Sequence, residues 1–67
     1  MTPEKFQAEL QVLAQAVDDL AQRTLSAELE CVRRSPEDAT ALLVARANLH
    51  QAAMGIRLVE ARSRRRM

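Results

Sequence analysis

Apolar residues recur at alternating intervals of three and four along two long segments of the chain. Leu10, Leu13, Val17, Leu20, Thr24 and Ala27 mark the first stripe, and Leu42, Ala45, Leu49, Ala52, Ile56 and Val59 mark the second. This spacing is the heptad signature of a helix that turns one side toward a neighbouring helix. Between the stripes, Ser35-Pro36-Glu37-Asp38 repeats the message of Thr2-Pro3-Glu4: a hydroxyl residue to cap free N–H groups, a proline at the first helical position, then acids facing the positive helix end. Pro36 also disfavours helical geometry at Ser35, so the first helix stops near Arg33 or Arg34, whose charges suit a negative C-terminus. The pattern predicts an all-α chain, residues 1–67 forming a single antiparallel two-helix hairpin, coiled-coil-like, with helices over about residues 3–34 and 36–63.

One register aligns both stripes. Folding the chain back at Ser35 sets Leu10 beside Val59, Leu13 beside Ile56, Val17 beside Ala52, Leu20 beside Leu49, Thr24 beside Ala45 and Ala27 beside Leu42. The turn position comes from the capping signals and the layers from the heptads, and the agreement of two independent signals is what argues for the hairpin.

With those residues in the seam, other apolar side chains are left over. Leu43, Ala47, Met54, Leu58 and Ala61 fall on the far side of the second helix, and Leu25, Leu29 and Val32 make a smaller outward set on the first helix near the turn. A contiguous exposed apolar patch marks an interaction surface, so Leu43, Ala47, Met54, Leu58, Leu25, Leu29 and Val32 are the candidate partner-binding residues. Met54 next to Gly55 fits this reading, because a flexible thioether adapts to different partners and a helix-interior glycine lets another backbone approach.

Composition supports the class and narrows the chemistry. The chain has 67 residues, no Trp or Tyr, a single aromatic residue in Phe6 and one glycine, a balance that favours helix over sheet. A chain this short buries a thin core, so its stability calls for outside help. One cysteine, Cys31, and one histidine, His50, leave neither a disulfide nor a three-ligand zinc site to supply it, so a partner chain is the expected support and no cofactor or metal is expected. No nucleophile stands at useful spacing from a base, and a hairpin encloses no pocket, so the chain is not expected to be an enzyme. Asp18-Asp19 and Glu28-Glu30 read as solvated helix surface. The net charge is +1, with residues 62–67 forming a basic tail beyond the last mirrored layer that is expected to fray. No stretch approaches the ~20 apolar residues that cross a bilayer and no charged start precedes an apolar run, so a cytoplasmic location is expected.

The segment Leu20-Ala21-Gln22-Arg23, Ala27-Glu28-Leu29-Glu30-Cys31-Val32-Arg33-Arg34, Ser35-Pro36-Glu37, followed by Leu42, Ala45-Arg46, Leu49, Ala52 and Gly55-Ile56, resembles the YscE/PscE/AscE family of type III secretion co-chaperones. The resemblance covers about two thirds of the chain. It implies a bacterial cytoplasmic hairpin that binds a tetratricopeptide-repeat chaperone, the pair keeping the needle subunit soluble and unpolymerised before export, with the repeat protein making most of the contact with that subunit. A shorter turn without glycine and an arginine-rich tail depart from the family pattern. The alternatives are a homodimeric four-helix bundle with a regulatory or RNA-binding role, and a small phage-type inhibitor of a host protein. The Arg-rich end alone, without stacking aromatics or a second basic stripe, is a weak signal for nucleic acid.

Overall fold

The computed structural model describes residues 1–66, and within them the chain forms two helices, α1 (Pro3–Arg34) and α2 (Pro36–Arg66), packed side by side as a hairpin. Thr2 caps α1: its hydroxyl oxygen accepts from the Lys5 N–H at 3.1 Å while its carbonyl accepts from Phe6 at 2.9 Å. Caps of this kind contribute about 1 kcal/mol.

A single residue makes the turn. Ser35 is extended, with φ −153° and ψ 95°, the geometry that the following proline imposes. Its N–H donates to Cys31 at 2.7 Å, closing α1, and its carbonyl accepts from Ala39 at 3.1 Å, opening α2. At this second cap the backbone of Ser35, rather than its hydroxyl, makes the bonds that join the helices.

The seam between the helices differs from the predicted one in alternate positions. On α1 the inward line runs Gln7, Leu10, Ala14, Val17, Ala21, Thr24, Glu28 and Cys31; on α2 it runs Ala39, Leu42, Arg46, Leu49, Ala53, Ile56, Glu60 and Ser63, all buried or half-buried. Leu10, Val17, Leu42, Leu49 and Ile56 therefore lie inside. Leu13, Leu20 and Val59 are 43%, 47% and 44% exposed, and Ala27, Ala45 and Ala52 are exposed as well. In each helix every second contact has moved by one residue, which turns the seam by about half of the 100° step between neighbours.

Two things explain the rotation. Ala14, Ala21 and Ala53 present small side chains where the helices meet, which lets the backbones come close. The polar residues brought in beside them find partners: Arg46 Nε donates to Glu28 Oε2 at 2.8 Å, and the Gln11 amide donates to the Glu60 carboxylate at 3.2 Å while Gln7 donates to the Glu60 backbone carbonyl at 3.3 Å. Buried polar groups that are paired across a seam fix its register, whereas an unpaired one, as the buried Gln7 Oε1 is, costs stability. The reading of Glu28 as solvated surface is corrected by this contact, since its side chain is only 14% exposed.

The helix also continues past the expected end. Residues 63–66 are helical, with Arg64 bonded to Glu60 one turn back and three arginines set against the negative end of the helix. The last residue of the basic segment, Met67, lies outside the described residues.

Candidate partner-docking surface

Asp18 and Arg57 form an ion pair across the hairpin, and this crossing defines its sides. Both residues sit one place beyond the inward line of their helix, so they flank the seam on the same side. One heptad toward the turn, the same flank carries Leu25 on α1 and His50 on α2; one heptad further it carries Val32 and Leu43. The side that is polar at mid-length thus becomes apolar at the turn end.

Leu29 and Ala47, each four residues beyond a flank position, extend this apolar area outward over both helices. Leu25 is half-buried and Leu29, Val32, Leu43 and Ala47 are exposed, Leu29 to 61%. The hairpin therefore joins the set on α1 to the first half of the set on α2. Below the patch, the Glu28–Arg46 pair ties the two helices together, the Glu28 hydrogen bond raising the affinity of the Arg46 guanidinium for its proton despite partial desolvation. A patch braced in this way meets a partner with little ordering left to do.

Met54 and Leu58 continue the exposed apolar positions of α2 away from the turn. They lie on the opposite half of α2, where with Gln51, Gly55 and Arg57 they line a shallow depression. A Cβ added at Gly55 meets nothing within 4 Å, so the hairpin itself makes no use of the missing side chain. Leu43, Ala47, Met54 and Leu58 are all exposed on α2, with His50 beside the line that joins Ala47 to Met54.

Val44 was missed. It is 56% exposed beside Leu43 and Ala47, and the run Leu42-Leu43-Val44 was the signal, because three consecutive apolar residues in a helix cannot all face one seam.

Polar chemistry is confined to the ion pairs. Arg57 holds the Asp18 carboxyl below its ordinary range chiefly by hydrogen bonding, with added charge attraction from Arg57 and His50 and with desolvation opposing. Cys31 is half-buried in the seam, and His50 is exposed on the flank. Among the described residues no three His, Cys, Asp or Glu side chains are grouped to hold a metal ion, and no helix is long and apolar enough to cross a membrane. Compared with known protein families, curated proteins and solved structures, the chain finds no match.

Proposed function

We propose that the chain is a small helical co-chaperone that acts by docking its turn-end apolar patch onto an α-helical repeat protein. The observation that carries this reading is the convergence of Leu25, Leu29 and Val32 with Leu43 and Ala47 on one braced side of the turn. Helical repeats bury apolar helix faces against one another, and an amphipathic hairpin extends such a stack by one more layer.

The sequence resemblance supplies the setting: a type III secretion system of the bacterial cytoplasm, a tetratricopeptide-repeat chaperone as the direct partner, and the needle subunit as the cargo. The mechanism is then mass action. A subunit held by the chaperone pair leaves the polymerising pool, and a hairpin that binds only the folded holder stabilises it by RT ln(1 + [L]/Kd). Stabilising the binding-competent holder raises its apparent affinity for the cargo.

Co-expression of the tagged hairpin with the candidate repeat chaperone tests the proposal. The wild type is expected to co-purify with it at fixed stoichiometry, and Leu29→Glu together with Leu43→Glu to lose it while staying helical. Recovery of RNA instead of a protein partner would favour the nucleic-acid alternative.

A further inference from the structure

The side of the hairpin away from Asp18 and Arg57 is apolar along its length. On α1 it carries Phe6, Leu13, Leu20 and Ala27 at heptad intervals; across the seam it carries Ala52 and Val59. The larger of these are 41–47% exposed, half covered by their own hairpin and open above it. An apolar stripe about three positions wide in every seven belongs to a helix with more than one neighbour.

The molecule also has surface to spare. Its accessible area is 5169 Å², against roughly 4200 Å² for a compact monomer of its 7.5 kDa mass by the usual scaling. The excess is close to the ~800 Å² that each partner contributes to a standard interface.

We propose that two copies of the chain pack through this side into an antiparallel four-helix bundle whose twofold axis crosses α1 between Leu13 and Leu20 and α2 between Ala53 and Met54. The face is complementary to itself. An axis midway between Leu13 and Leu20 sets each against the other in the second copy and sets bulky Phe6 against small Ala27. It also brings Glu9, one turn before Leu13, opposite Arg23 of the second copy, one turn after Leu20, so the charges at the edge of the face match.

The α2 side follows without further adjustment. The one-residue turn at Ser35 places Val17 level with Ala53, so the same axis crosses α2 between Ala53 and Met54, one turn or less from Gly55. It sets Ala52 against Gly55 of the second copy, where the absent side chain permits the backbones to approach. The turn-end patches stay free at opposite ends of the bundle, so this pairing goes beyond the docking reading and does not depend on it.

Sedimentation equilibrium and cysteine cross-linking of the full chain test the proposal. At tens of micromolar the wild type is expected at twice its 7.5 kDa chain mass, and the Leu13→Glu, Leu20→Glu variant at the single mass. In a Cys31→Ser background, Ala52→Cys together with Gly55→Cys is expected to oxidise to a covalent dimer, while Ser26→Cys, exposed on the outer side of α1, remains unlinked. A wild type that sediments at the single mass, or a Ser26→Cys chain that links as readily as the Ala52→Cys, Gly55→Cys chain, overturns it. Neither readout involves a repeat protein, so failure here leaves the docking proposal standing.

Discussion

Asp18 and Arg57 meet across the seam near the middle of the hairpin, and this one crossing sorts the remaining side chains into two unlike sides. Toward the turn its own flank runs into Leu25, Val32 and Leu43. The opposite flank runs through Leu13 and Leu20. Since both residues are partly exposed, their attraction contributes little to stability, and the pair matters for alignment.

The seam assignment predicts a sharp contrast between neighbours. Ala21 is 2% exposed and Ala53 1%, so Ala21→Leu or Ala53→Leu overpacks the line where the helices touch and costs about 1–3 kcal/mol. Leu20→Ala, measured at dilution where the chain is monomeric, costs less because that side chain is already half in water. Thermal melts followed by circular dichroism make the comparison. Equal losses at positions 20 and 21 would mean the seam is turned differently.

Gly55 gives a prediction of the opposite sign. With open space where a Cβ would go, Gly55→Ala in the dilute monomer gains helix propensity of about 1 kcal/mol with nothing to clash. A melt several degrees above wild type is expected. A lower melting temperature under those conditions would show that the hairpin does use the glycine.

Acid should loosen the open end. Glu60 is buried, and its carboxyl is held below the ordinary value of 4.5, first by the Arg64 guanidinium and then by Gln11, against the opposing effect of burial. The folded state therefore releases this proton more readily than the unfolded chain. The resulting stability is complete above the unfolded value and is lost as pH falls through the folded one. Asp18 acts in the same direction through Arg57. Melting temperature is expected to fall on acidification below about pH 4.5, and Glu60→Gln to reduce the slope. An acid dependence that Glu60→Gln leaves unchanged would remove Glu60 as a source.

The hairpin itself was legible because proline and the caps mark both helix starts and heptads run through both helices. The rotation of the seam was not. Leu13-Ala14, Leu20-Ala21 and Ala52-Ala53 are adjacent apolar pairs, so two stripes of equal periodicity exist and hydrophobicity favours the bulkier one. What decides between them is pairing: Gln7, Glu28, Arg46 and Glu60 count against a seam in a hydrophobic pattern, yet across the helices Arg46 donates to Glu28 and the Gln7 amide nitrogen to Glu60, with Gln7 Oε1 left unpartnered. The candidate site was half legible for the same reason. Leu25, Leu29 and Val32 stand out on α1, but their union with Leu43 and Ala47 depends on how the two helices are turned.

Affinity for the proposed repeat-chaperone partner, measured by titration calorimetry with two matched double variants, tests the central claim most directly. Leu29→Glu with Leu43→Glu changes the turn-end patch; Met54→Glu with Leu58→Glu changes the depression on the other half of α2. Charges forced into a docked apolar patch cost about 2 kcal/mol or more, a loss of at least roughly thirtyfold, whereas exposed positions outside it change affinity by less than threefold. The expected result is loss of binding in the first variant and near wild-type binding in the second, with both helical. Retention of binding by the Leu29 and Leu43 variant, with loss in the Met54 and Leu58 variant, would contradict the assignment of the turn-end patch as the docking surface.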